Sequence, residues 1–546
     1  TVSIALHNNR PPDLGVVEDY PDNPKDRYIS IIADITDADD DLMFVTDMMY
    51  SVEPNVWLTP STVGGRTLDL TSGVLKLNWY SHLDITGFKT PVQFRFTLSD
   101  GKESVEGISS DFSVNTTQPA TWNQALQSSS GACESLQAVV FDSQIFHFCG
   151  GNTTAVPNGS VRIYDPIRDI WLTDQTQQMK RFAHTAQRIG DTVYLFGGKG
   201  DDPDTGAVES AATLGNLEIF DLTTGTSILS QVAVGTKRSL HDAVSFEGKV
   251  YHLGGLDSNS NLLNSIDIYD STAPGGSWST TSPDSAVKGR YQHTATIYDG
   301  RIYLIGGVSG AAGGSAITFG EPTMDIYDIS TGVWTSTTGV ARYGHSAVLI
   351  DGVVHVAGGK DTSGTNVFKS ISLYDLNTGE WTEEDLGSAP NGRFEHSAAA
   401  FNGRMYIWGG LPAPLGEGNA LATMHFYRSS TTEKTLVSFT RTRSRITESN
   451  FNLDIDVVLN KAAEEAGSVT FRLGSRTTAE LGTDFNFTEG TLFFSPGEQR
   501  KTINIEFLDD SDVEAREQIE ILLEGASGLV LGDFTAATLL LSDDDL

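Results

Sequence analysis

The sequence predicts an all-β protein of several modules, and three observations lead there. A chain of 546 residues is too long for one core, so it divides into several domains. Val, Ile, Thr and aromatic residues fill the periodic stretches, and 55 glycines punctuate them, a composition suited to short strands and tight turns. The centre of the chain repeats itself several times, which marks a fold built from copies of one small unit.

The repeat carries three signals in register. Arg-x-x-His recurs as Arg181/His184, Arg238/His241, Arg290/His293, Arg342/His345 and Arg393/His396. A double glycine follows each, at Gly197-Gly198, Gly254-Gly255, Gly306-Gly307, Gly358-Gly359 and Gly409-Gly410. Gly150-Gly151 reads as a sixth, with Glu134 and Gln137 in place of the Arg and His. Successive pairs are 47, 57, 52, 52 and 51 residues apart. The third signal is an aromatic–Asp step before a Trp: Tyr164-Asp165 with Trp171, Tyr269-Asp270 with Trp278, Tyr327-Asp328 with Trp334, and Tyr374-Asp375 with Trp381.

Each unit reads as a strand, an Asp-Gly-type turn, a strand ending in Gly-Gly, and two strands more. Asp-Gly between apolar runs signals a hairpin because both turn residues need positive φ, and Gly-Gly allows close backbone approach. Four strands per ~50-residue unit indicate propeller blades. These units resemble kelch repeats, and the resemblance implies a six-bladed β-propeller over 119–430. The sixth unit ends in "MHFYRSS" without its Asp or Trp, while a spare Trp122 stands upstream in "ATWNQAL". Residues 119–127 are therefore expected to supply the outer strand of the last blade and close the ring. The Arg-x-x-His set reads better as braces between blades than as ligands around the channel, since a true site would break the symmetry. The breaks lie in the loops after Gly-Gly, from Lys199, Val308 and Leu411, which makes their face the candidate recognition surface.

From about residue 431 the kelch signals stop. "VSFTRTRSRITESN", the long stretch "GTDFNFTEGTLFFSPGEQRKTINIEFLDDSDVEAREQIEILLEG" and "ATLLLSDDDL" together resemble a Calx-β domain over 431–546. The resemblance implies an antiparallel β-sandwich that binds Ca2+ at one end, with Glu448, Asp484, Asp509, Asp510, Glu514, Glu517, Asp543, Asp544 and Asp545 at the matching positions. Physical chemistry points the same way: the region holds 22 acidic and 10 basic residues, 22 − 10 = 12 negative charges net. Ca2+ takes six to eight oxygens, which clustered carboxylates provide. The alternative is a solvated acidic end with no ordered metal. The first 118 residues, with "NNRPPDLG", "ISIIADITDADDDLMFVT" and "FRFTLSDGKESVEG", resemble a cadherin-like or immunoglobulin-like β-sandwich module. Asp37, Asp39, Asp40 and Asp41 there read equally as a second calcium site or a plain acidic turn.

Composition restricts the partners. Lys plus Arg total 36 against 71 Asp plus Glu, a net charge of −35, which argues against nucleic acid. No apolar run is long enough to span a bilayer, and Thr1 begins no basic leader, so a targeting peptide has been removed or the chain is a segment of something longer. Cys133 and Cys149 are consistent with one disulfide or with two buried thiols. Four glycosylation sequons, at Asn115, Asn152, Asn158 and Asn486, hint at secretion.

Searches for catalytic motifs return no His-Glu-x-x-His helix, nucleophile elbow, phosphate loop or thiolate cluster. The reading is a non-enzymatic, extracellular, calcium-binding scaffold or adhesion protein. One variant is a fibre subunit that self-associates head to tail through "TVSIAL", pairing as a strand onto a neighbour. The alternatives are a carbohydrate-binding receptor using the long-loop face and, further off, a kelch-type oxidase or sugar mutarotase.

Overall fold

The structure is a computed structural model. It describes the whole chain except residues 1–12, 20–28, 37–43, 54–55, 61–62, 66–72, 80–87, 100–103, 110–111, 116–120, 125–132, 134, 142–143, 152–157, 167–169, 203–206, 231–234, 282–286, 312–316, 385–391, 402–403, 413–420, 429–434, 440–442, 448–450, 460–462, 464, 509–516, 533–534 and 543–546. The described residues form strands, turns and loops and include no helix. The chain divides into two units, one of residues 120–428 and one of residues 1–119 with 429–546.

Residues 120–428 form the propeller. Its six innermost strands are Gln137–Phe141, Thr185–Ile189, Asp242–Phe246, Thr294–Tyr298, Ser346–Ile350 and Ser397–Phe401, each next to the following one and the last next to the first. Blades 2 to 5 have four strands in sequence order. In the last blade the outer strand is Thr121–Gln124, paired with Met424–Arg428 so that Trp122 faces Tyr427 in the ladder. The two ends of the ring thus meet in one sheet.

Local chemistry explains the blade. Its first hairpin turns on a pair such as Asp299-Gly300, with φ of 49° and 68°, the two left-handed residues that a type I′ turn needs. The aromatic–Asp step works twice. The aromatic ring packs on the Trp across the outer ladder, at 5.1 Å for Tyr164–Trp171 and 4.9 Å for Tyr374–Trp381. The following Asp caps the next turn, as Asp221 does by accepting from the amides of Thr223 and Thr224. Apolar layers between blades, such as Val244, Leu253, Ile266, Ile302 and Leu304, make up the core.

The recurrent arginines are buried braces. Nη1 of Arg181, Arg238, Arg290, Arg342 and Arg393 each donates to the carbonyl of the first glycine in its own blade, 16 residues on, at 2.9–3.2 Å. In blades 2, 3 and 4 the guanidinium also meets a buried carboxylate: Glu218 at 3.4 Å, Asp267 at 2.9 Å, and Asp325. The first glycine has positive φ and no room for a side chain; a Cβ on Gly254 would sit 2.6 Å from the Arg290 carbonyl. Removing one charge of such a pair leaves the other uncompensated in a dry site, which costs about 3–5 kcal/mol. Arg238→Ala is therefore expected to lower the unfolding free energy by that amount, read as a lower urea midpoint at unchanged slope, and Arg238→Met with Asp267→Leu to recover most of it. A midpoint unchanged by the single substitution would contradict the brace.

In the other unit, residues 13–115 form two sheets facing one core. Ala33, Leu75, Leu77 and Trp79 come from one sheet; Met48, Tyr50, Phe94, Phe96 and Leu98 come from the other. The Asp37 to Asp41 stretch lies outside the described residues. Residues 435–542 form two five-stranded sheets. Phe451 pairs with Phe507 and Phe507 with Phe485 in one sheet, while Thr447 pairs with Ser542 and Leu541 with Glu517 in the other. A link of three residues joins Thr447 to Phe451, so these strand ends share one end of the sandwich.

Candidate functional site

Two places concentrate polar chemistry: the propeller channel and the strand ends just described. The channel mouth is built by backbone. Six residues form a closed ring, each amide donating to the carbonyl of the preceding blade: Ala183 to Ser135, Leu240 to Ala183, Gln292 to Leu240, Gly344 to Gln292, Glu395 to Gly344, and Ser135 back to Glu395. These bonds run from 2.8 to 3.4 Å, and all six residues have φ between 50° and 63°. Five of the six stand just before the histidine of Arg-x-x-His.

The ring corrects the reading of the first blade. Ser135 occupies the ring position, so Cys133 stands where the other blades have Arg and Leu136 where they have His, rather than Glu134 and Gln137. Cys149 with Gly150 matches the glycine pair, since Cys149 N donates to Ser160 O as Gly254 N donates to Ser265 O. Cys133 and Cys149 form a disulfide across the same 16-residue interval that the arginines span elsewhere. A covalent bond thus replaces the arginine brace, and both cysteines are fully buried. Two cysteines 16 residues apart in the first blade leave the pairing open in sequence; the register of the arginine brace accounts for it.

Below the ring, hydroxyls and imidazoles link the blades. Thr185 lies 3.2 Å from Nε2 of His241, Thr294 2.9 Å from that of His345, and Ser346 2.7 Å from that of His396. The spacing suits a nucleophile and base. Burial, however, pushes His396 down to about 3 and His345 well below the ordinary range, so neither imidazole can take a proton near neutrality. These pairs therefore act as braces. At the equivalent position blade 3 has Asp242, which accepts from the amides of Ala243 and Ala295, and burial raises its carboxyl to about 7. Glu395 reaches over the channel and accepts from Ser135 Oγ at 2.8 Å and Gln292 Nε2 at 2.7 Å.

Of the nine carboxylates expected at the sandwich end, Asp484 and Glu517 are described; Glu448, Asp509, Asp510, Glu514, Asp543, Asp544 and Asp545 lie outside the described residues. Asp484 is 2% exposed. Its Oδ2 accepts from the Glu480 amide, and its Oδ1 is buried with no hydrogen-bond partner among the described residues. Its carbonyl accepts from the Leu508 amide at 2.8 Å, which ties it to the strand leading into Asp509. Glu517 opens the strand beside Leu541. Among the described residues no group of three or more His, Cys, Asp or Glu is placed to hold a metal. No helix among the described residues is long and apolar enough to cross a membrane.

This geometry defines a kelch-type β-propeller followed by a Calx-beta sandwich. Comparison with known families agrees: residues 145–414 match the attractin/LZTR1 beta-propeller and residues 431–545 the Calx-beta domain. Human Kelch domain-containing protein 3 is 28% identical over 199 residues, 33% of this chain and 50% of that protein. Kelch-like protein 23 of Pongo abelii is 26% identical over 263 residues, 48% of this chain and 42% of the relative. Putative protein tag-53 of Caenorhabditis elegans is 24% identical over 278 residues, 47% and 20%. The chain spans half or less of the length of these relatives. Among solved structures, the one titled "Structure of YjhT" is 15% identical with a TM-score of 0.44, covering 55% of this chain and 96% of that one.

Proposed function

We propose that this chain is a non-enzymatic, calcium-dependent scaffold or adhesion protein of an extracellular surface. The observation that carries the reading is the buried, half-satisfied carboxylate of Asp484. A carboxylate oxygen removed from water without a donor is costly, and a cation removes the cost. Asp484 fits calcium, a hard cation that takes oxygen ligands. Asp484 and Glu517 would hold the ion together with Glu448, Asp509, Asp510, Glu514 and Asp543 to Asp545, which adjoin the same strand ends in sequence. Bound there, calcium would neutralise the repelling carboxylates and tie both sheets together at one end. The buried Cys133–Cys149 disulfide supports an oxidising compartment, where such bonds form and persist. Head-to-tail joining through residues 1–8 is a variant of this reading; those residues lie outside the described ones.

Calorimetry of the full chain tests the proposal. Calcium at one hundred times its dissociation constant should stabilise the sandwich by about 2.7 kcal/mol over chelator. Asp484→Asn should reduce that increment while leaving the propeller transition in place. Identical melting with calcium and with chelator would overturn the reading.

A further inference from the structure

The sandwich of residues 435–542 has four edge strands, and three of them are blunted. Phe485–Asn486 and Val530–Leu531 end one sheet with two residues each, and Arg443–Thr447 ends one side of the other sheet with two arginines. Short length and charge are the usual protections of an open edge. The fourth edge, Gly490–Phe494, has neither. It runs five residues, "GTLFF", without charge or proline. It pairs in unbroken register with Gly467–Leu473, its only ladder partner among the described residues. Its other side therefore presents unpaired backbone amides and carbonyls.

The side chains along this edge alternate. Leu492 stands opposite the buried Val469 and Phe494 is itself buried, so both face the core, while Thr491 and Phe493 are exposed on the outer face. Phe493 is 69% exposed, the most of any large apolar side chain among the described residues. Leu492 stays partly exposed although it points inward. An added strand would cover both.

The chain carries a segment of matching chemistry. Residues 1–6, "TVSIAL", are uncharged in a chain of net charge −35, and they alternate Val2, Ile4 and Leu6 with Thr1, Ser3 and Ala5. Two uncharged strands meet without setting the carboxylates of two acidic molecules face to face.

We propose that the free edge of Gly490–Phe494 receives residues 1–6 of a second copy of this chain as an added strand. Such pairing, which rests on the head-to-tail variant given above, supplies that variant with its acceptor surface. Val2, Ile4 and Leu6 continue the core beside Leu492 and Phe494, and the small Ser3 and Ala5 lie on the outer face beside Phe493. Main-chain hydrogen bonds supply the affinity, and the alternating side chains set the register. Donor and acceptor are different surfaces, so each copy keeps one of each and the contact repeats.

Fluorescence anisotropy on the full chain in calcium tests this, with a labelled synthetic peptide of residues 1–8 as probe. The peptide should bind saturably, and an excess should lower the light scattering of the associated protein by capping its edges. Methylating the backbone nitrogens of Ser3 and Ile4 keeps the side chains but removes main-chain donors, and should weaken binding about tenfold. Thr491→Lys and Phe493→Lys, at exposed positions, should each weaken it about tenfold with an unchanged melting temperature. No binding of the peptide, equal binding of the methylated peptide, or equal binding by both lysine variants would overturn the proposal. Association of the full chain separates it from the head-to-tail reading. If deleting residues 1–8 abolishes association while both lysine variants associate normally, the acceptor is not this edge, yet head-to-tail joining stands. If the lysine variants fail to associate and the deletion has no effect, the edge pairs with its own copy and the proposal falls. Association untouched by all three changes sinks both.

Discussion

Acidification should unfold the propeller abruptly, with most of the loss between pH 6 and pH 5. Eight histidines, His147, His184, His241, His252, His293, His345, His396 and His425, are held below their ordinary range, with burial the largest cause for every one. The unfolded chain takes up a proton at each below about pH 6.5, whereas in the folded chain His147, His184, His293 and His396 do not until about 3 and His425 until about 4, and His241, His252 and His345 are held well below the ordinary range, so stability falls as pH falls. Each histidine contributes about 1.4 kcal/mol per pH unit once the unfolded side is protonated. Asp242 acts in the opposite sense: its raised carboxyl is protonated in the fold below about 7 and offsets roughly one histidine. The net loss between pH 7.5 and 5.5 is on the order of 10 kcal/mol, comparable with the whole stability of an ordinary domain. Circular dichroism and tryptophan fluorescence across that range check it. A propeller that stays native at pH 4 would mean that these imidazoles are not buried and neutral.

Cutting away the closing strand should be nearly as severe. Thr121–Gln124 pairs along its whole length with Met424–Arg428 and covers the edge above Tyr427, which is fully buried. A chain beginning at residue 129 loses that ladder, exposes Tyr427 and leaves an open edge. Four ladder residues and one uncovered aromatic together are worth about 4–6 kcal/mol. Compared with a chain beginning at residue 119, it should melt at lower temperature and self-associate through the exposed edge. Equal stability of the two chains would show that the ring closes without this strand.

The sequence made the propeller legible wherever side chains do the work. Arg, His, Gly-Gly and the Tyr–Trp pair each fill a place that few residues can fill, so they recur and can be counted. The ring at the channel mouth was invisible for the opposite reason. Its six residues are Ser135, Ala183, Leu240, Gln292, Gly344 and Glu395, and they share only a backbone conformation. With no marker at that position, the sequence suggests a register one place off in the first blade: Glu134 and Gln137 look chemically suited to the brace, but Cys133 and Leu136 occupy it. At the sandwich end, Asp484 was legible from its motif, whereas its orphaned oxygen depends on packing across strands distant in sequence.

The register of the closing strand has a mechanical consequence. Thr121, where the chain enters the propeller, is the ladder partner of Arg428, where it leaves. Tension transmitted along the chain is applied at the same end of both strands, so their hydrogen bonds open one at a time like a zipper instead of resisting together in shear. The closing pair is therefore the weakest element under load, and it would part before any other blade is strained. Beyond it, the Cys133–Cys149 bond carries the load past the hairpin of Gln137–Phe141 and Gln144–Phe148, which is therefore not drawn out from that side. A propeller carried in a tethered surface protein would thus lengthen by a short, defined step under force and recover when the load is released.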